Sequence, residues 1–181
     1  MSISKKDIIF IGGIHGVGKS TICKDICKKF QLEYLSASEL IKWSDINEDH
    51  LEKEVSDINM TQNRLLEGLK RVSEKGGTYL LDGHFCLLNA KQEVVPVPFQ
   101  TFQNINPVLA GVIVGDVGII RDRIQSRDGK SYEYGVLNEL QLREQSYAAE
   151  VSDKLGVKLC IGKNDDPSGL ISRLKVELGY K

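Results

Sequence analysis

Residues 13–20 read Gly13-Ile14-His15-Gly16-Val17-Gly18-Lys19-Ser20, with Thr21 next. The spacing is G-x-x-x-x-G-K-[ST], and the residue types carry a mechanism. Glycines at 13, 16 and 18 let the backbone curl until successive N–H groups face one centre. A helix starting there adds the positive end of its dipole. The stretch from Gly13 to Thr21, with His15 and Val17 inside it, therefore suits the phosphates of a nucleoside triphosphate. Lys19 is expected to reach the β- and γ-phosphates, and the Ser20 hydroxyl to ligate Mg²⁺. The alternative is a glycine-rich turn with nothing bound, against which the Lys19-Ser20 pair argues.

Such a loop needs a second carboxylate on the metal side, at the end of a neighbouring apolar strand. Tyr79-Leu80-Leu81-Asp82 supplies it, so Asp82 is the second Mg²⁺ candidate, with a turn-capping role as the alternative. His84 follows, either touching substrate or filling a loop. Arg121, Arg123 and Arg127 cluster before Asp128-Gly129-Lys130-Ser131-Tyr132, a short link between helices. Arginines on a lid could neutralise charge on a phosphoryl group in flight and exclude water. The competing reading is a surface helix whose arginines pair with Asp116, Asp122 and Asp128.

Other users of this loop fit less well. A GTPase would show N-K-x-D, whereas Gly162-Lys163-Asn164-Asp165 has those letters in another order. A ring-forming AAA ATPase needs a further helical domain, for which 181 residues leave little room. A small phosphoryl-transfer kinase remains.

The chain resembles the archaeal-type adenylate kinases, a branch of the nucleoside-monophosphate kinase family, nearly from end to end. The likeness rests on Gly13 to Thr21, on Tyr34-Leu35-Ser36-Ala37-Ser38-Glu39-Leu40-Ile41-Lys42, and on Asp82-Gly83-His84. It continues through Pro98 and Asn106-Pro107, and through Arg123, Arg127 and Arg143, which stand where that family places lid and post-lid arginines. The resemblance implies transfer of the ATP γ-phosphoryl group to a nucleoside monophosphate (ATP + AMP to 2 ADP), with ATP and Mg²⁺ bound. Residues 36–75 would then be the monophosphate-binding segment and 123–135 a short lid. Ser36, Lys42, Arg64 and His84 are the acceptor-side candidates. Where the family commonly reads S-T-G-D-L-L-R, this chain ends on Lys42, which keeps the charge and loses the forked geometry of arginine. A kinase of another acceptor (a nucleoside, a small metabolite or a nucleic-acid end) stays open. So does an ATP-hydrolysing switch, for which the acidic segment 45–57 would be the surface offered to a protein partner.

These side chains need a scaffold, and the chain alternates apolar β-branched runs with amphipathic helical stretches. Strands are expected at 7–14, 33–36, 78–82, 108–116 and 157–161. Helices are expected at 18–30, from 38 onward, and at 60–75, 117–126, 135–155 and 166–178. Leu65, Leu66, Leu69 and Val72 form the apolar stripe of the 60–75 helix. Three of the four prolines (Pro96, Pro98 and Pro107) predict a rigid, partly irregular crossing between the third and fourth strands. The expected fold is α/β, a single P-loop NTPase domain over 1–181. Its five-stranded parallel sheet, in order 2-3-1-4-5, lies between two layers of helices, with the phosphate site at the carboxyl ends of the strands.

Composition narrows the partners. Lys+Arg 24 against Asp+Glu 25 leaves a net charge of −1, which gives no basis for binding nucleic acid through bulk charge. The longest apolar runs, 8–14, 79–88 and 108–114, fall short of the ~18–20 residues of a spanning helix, so no membrane association is expected. Cys23, Cys27, Cys86 and Cys160 show no C-x-x-C spacing and read as reduced, half-buried thiols of a cytoplasmic protein, with no zinc.

Overall fold

Ile8, Ile9, Phe10 and Ile11 are all buried, so both faces of the first strand are covered. Only a central strand of a layered α/β fold requires this of consecutive residues. The computed structural model describes residues 6–41, 58–72 and 76–179. Lys42 and the acidic segment 45–57 lie outside them, as does part of the expected monophosphate segment 36–75.

The elements run β1 (Lys6–Gly12), α1 (Lys19–Phe30), β2 (Glu33–Ser36), a helical stretch at residues 37–41, α2 (Ile58–Val72) and β3 (Gly77–Asp82). They continue with β4 (Cys86–Leu88), β5 (Val94–Pro96), α3 (Phe99–Ile105), β6 (Leu109–Val114), α4 (Val117–Asp128), α5 (Tyr134–Leu155), β7 (Leu159–Lys163) and α6 (Ser168–Glu177). Five strands form one parallel sheet in the order β2-β3-β1-β6-β7. The neighbours are those of the expected 2-3-1-4-5, but the numbers differ because an antiparallel ribbon, β4–β5, intervenes in the chain. The proline-marked crossing is thus ordered as a ribbon and a helix rather than irregular. Its strands are three residues long, too short for a period-two pattern to show.

The core fills both layers. Phe10, Phe85, Phe102 and Tyr147 form an aromatic cluster under the carboxyl end of β1, with successive centroids 4.9, 5.1 and 6.2 Å apart. Each such pair contributes about 0.5–1.5 kcal/mol beyond the area its rings bury. Two expectations need correction. The α2 stripe stops at Leu69, and Val72 is exposed because the helix is in its last turn there. The four cysteines are fully buried rather than half-buried, since Cys23 and Cys27 sit on the inner face of α1 and Cys86 and Cys160 in strands. Burial pushes the Cys27 and Cys86 thiols up, to about 11 and about 12. Among the described residues no helix is long and apolar enough to cross a membrane.

Candidate functional site

The carboxyl ends of β1 and β3 put the phosphate loop beside Asp82. Gly18 caps α1 in the left-handed region with no side chain on the first-turn amides, and no acid occupies that turn. Those donors and the positive helix end therefore face the cavity outside the loop, which suits an anion. Gly16 has φ 80°, and a Cβ there would lie 2.5 Å from Ile124 Cγ1. No other residue type fits that position. The amide of Gly13 does not join the cradle, contrary to expectation: it donates to Glu144 Oε1 at 2.8 Å.

A cavity of about 430 Å³ is walled by residues 14–16 and 18–21 of the loop, by Ser36, Ala37 and Ser38, by Asp82, Gly83 and His84, and by Arg127, while Val17 is buried and does not line it. Lys19 and Asp82, both buried, form an ion pair across it. The Tyr34 hydroxyl donates to the other oxygen of Asp82 at 2.9 Å. Ser20 and Thr21 are exposed at the mouth. The donor set fits Mg²⁺ and phosphates, with a hydroxyl and a carboxylate facing one anion-binding cradle. His84 is half-buried, and desolvation together with the nearby Lys19 charge pushes its imidazole down to about 3. It is therefore a neutral hydrogen-bonding group near pH 7.

The α4 arginines divide. Arg123 Nη1 donates to the Gly16 carbonyl at 3.0 Å, which sets it against the loop. Arg127 lines the phosphate cavity, contacts His15 Nε2 at 3.0 Å and pairs with Asp128 at 2.7 Å. His15 also meets Asp128 at 2.8 Å, and the hydrogen bonds from Arg127 and then His15 hold the Asp128 carboxyl well below the usual carboxylate range. Arg121 pairs with its neighbour Asp122 at 3.2 Å, the surface arrangement weighed against a lid role. Arg143 does not line the phosphate cavity; its charge acts on Cys86 instead.

Two further cavities flank the loop. Toward β6 and β7, one of about 460 Å³ is bounded by Gly115, Asp116, Arg123, Lys163, Asn164 and Asp165. Asn164 Nδ2 donates to the Val17 carbonyl at 3.0 Å and ties that cavity to the loop. Toward α2 and α3, an apolar cavity of about 270 Å³ lies among Phe10, Ile41, Leu65, Leu87, Phe102 and Ile105. It shares Ala37, Ser38, Gly83 and His84 with the phosphate cavity. Gln62 and Thr101 line it, are buried, and make no side-chain hydrogen bond to another described residue. Ser36 bonds Ser38 at 2.9 Å at the phosphate-side mouth. Arg64, half-buried on α2, lines none of the three cavities.

A family model described as an AAA domain matches residues 12–141, from the end of β1 into α5. The chain belongs to that family. Within the AAA-domain family its fold is the kinase-like one. A gluconokinase from Sinorhizobium meliloti 1021 superposes with TM-score 0.55 at 14% identity, with 98% of each chain covered. A shikimate kinase from Bacteroides thetaiotaomicron gives TM-score 0.56 at 13% identity, over 96% of this chain and 99% of that one. The Deinococcus radiodurans tunicamycin resistance protein gives 0.54 at 16%, covering 86% and 99%. No curated protein matches in sequence. These likenesses are of fold, that of P-loop kinases in general, and do not single out the archaeal-type adenylate kinases.

The AAA-domain chain also holds a buried site residue that sequence reasoning missed. Glu144 on α5 is 1% exposed and accepts N–H groups from Gly13, Phe85 and Cys86, at 2.8, 2.9 and 2.6 Å. Desolvation raises its carboxyl to about 6 despite those donors. A signal existed: Glu144 interrupts the buried stripe of Leu137, Leu140, Tyr147, Ala148 and Val151.

Proposed function

We propose that the chain is a Mg²⁺-dependent kinase that transfers the γ-phosphoryl group of ATP to a nucleoside monophosphate. The observation that carries this reading is the apolar cavity opening onto the phosphate cavity through four shared residues. An acceptor with a flat, uncharged body fits there, its polar edge met by Gln62 and Thr101 and its phosphate at the mouth by Ser36, Ser38 and His84. Lys42 is the cation proposed for the acceptor phosphate; Arg64, which lines none of the cavities, is not assigned to it. Lys19 and the loop amides hold the donor phosphates, and the cavity at Asn164 accommodates the rest of the donor. Ser20 and Asp82 would hold Mg²⁺, which would offset the charge of the donor phosphates. Arg123 and Arg127, already against the loop, steady charge on the transferring group. An acceptor oxygen attacks the γ-phosphorus, the bond to the bridging oxygen breaks, and ADP leaves. Positioning and charge stabilisation carry most of such a transfer.

The deciding experiment measures ADP formed from ATP and Mg²⁺ with and without a panel of nucleoside monophosphates. Strong stimulation by AMP, with label passing from ATP into ADP made from AMP, is the expected result. Slow turnover indifferent to every monophosphate refutes the acceptor. A second reading, a kinase of an uncharged small acceptor, is favoured by one observation. No described residue lining the apolar cavity carries charge at neutral pH.

A further inference from the structure

We propose that Glu144 is a positioning residue for the phosphate site, holding the entrance of the loop at a fixed distance from the segment that carries Asp82 and His84. This rests on the reading of residues 13–21 as a nucleotide-phosphate site. The contact is made from the core side. One carboxylate oxygen takes both Gly13 N and Phe85 N, and the other takes Cys86 N. Gly13 opens the loop, and Phe85 directly follows His84. The same two segments are joined on the cavity side by the buried Lys19–Asp82 pair. Once Lys19 turns to a bound phosphate that outer tie is released, and Glu144 remains.

The choice of residue is informative. Three converging donors need an acceptor with two oxygens, which only a carboxylate provides. A buried negative charge beneath an anion site opposes phosphate binding by simple electrostatics. Its presence is understandable if geometry outweighs that repulsion. The surroundings leave little freedom: a Cβ at Gly12 would lie 2.8 Å from Glu144 Oε1 and 2.4 Å from the Phe85 ring. The same face of α5 grips neighbouring loops, with Gln141 bonded to both N and O of Gly115 and the Tyr147 hydroxyl donating to Val97 O at 2.8 Å.

Electrostatics and positioning predict opposite signs for Glu144→Gln. Removing the charge alone would tighten binding of Mg·ADP. Losing the second acceptor oxygen, and facing an amide N–H with an NH₂, would weaken it by about tenfold, the factor that one unpaired buried donor is worth. Calorimetric titration with Mg·ADP reads this without any acceptor. Tyr147→Phe, which removes a bond from the same helix face, is the control for general loosening. Expected are roughly tenfold weaker binding and a parallel rise in the KM for ATP in Glu144→Gln, with Tyr147→Phe within about twofold of wild type. Equal or tighter binding in Glu144→Gln overturns the proposal, as does equal weakening in Tyr147→Phe. Wild-type protein that binds no Mg·ADP overturns the phosphate-site reading itself. Should Glu144→Gln not fold, ¹⁵N spectra of the wild type decide. The Gly13, Phe85 and Cys86 amides are expected to shift together on Mg·ADP addition, and three unmoved signals overturn the proposal.

Discussion

Replacing Lys19 by Met should destabilise the protein even with no nucleotide present. Lys19 and Asp82 are 8% and 4% exposed, and the ammonium is the only described cation paired with that carboxylate. Removing one member of a buried pair typically costs about 3–5 kcal/mol, because the remaining charge is left without its partner. The Tyr34 hydroxyl still serves the second oxygen at 2.9 Å, which points to the lower end, ~3 kcal/mol. For a chain of this size that corresponds to about 6–12 °C in the unfolding midpoint. Thermal unfolding followed by circular dichroism in nucleotide-free buffer reads it directly. The double variant Lys19→Met, Asp82→Asn should recover at least half the loss, since the stranded charge has gone. A Lys19→Met midpoint within ~2 °C of wild type would refute the reasoning. The pair would then contribute nothing in the free protein, and Lys19 would matter only to ligand.

Two further outcomes follow from the loop and its support. Gly16→Ala forces a left-handed φ of 80° on alanine and drives its methyl into Ile124, so a loss of about 2–4 kcal/mol in unfolding free energy, read from a lowered denaturant midpoint, together with loss of Mg·ADP binding, is expected; an unchanged midpoint would count against the contact. The Glu144 carboxyl is raised by desolvation from 4.5 to about 6 in the folded chain, so the stability it contributes is complete below about 4.5 and is lost as pH rises through about 6. Wild type should therefore lose ~2 kcal/mol relative to Glu144→Gln between about pH 4.5 and 6.5, read by urea unfolding at each pH, and a constant difference would contradict that burial.

Much of this was legible in the residues. The phosphate loop declares itself because its glycines and Lys19-Ser20 are adjacent in sequence. Asp82 declares itself because an apolar strand ends on it. The central place of β1 follows from the continuous run 8–11, which only a central strand can bury, whereas the order of the other strands comes from the likeness to P-loop kinases. What escaped was assembled by tertiary contact. Glu144 lies 131 residues from Gly13, and a single acid in an otherwise ordinary helix reads as solvent-facing unless its place in the apolar stripe is weighed. Gln62 and Thr101 escaped for the same reason, since short polar residues on amphipathic helices give no sign of facing a cavity. The β4–β5 ribbon escaped because prolines at 96 and 98 mask strands of three residues.

The α5 face bearing Gln141, Glu144 and Tyr147 bears on how the chain tolerates changes in length. Deleting one residue within that helix turns everything beyond it by about 100°, swinging Glu144 and Tyr147 away from the Gly13, Phe85–Cys86 and Val97 backbones in a single event. The link at residues 129–133 can lengthen or shorten without turning that face. The length of that link is thus free to vary from one descendant of this sequence to another, while the register of the helix behind it is not.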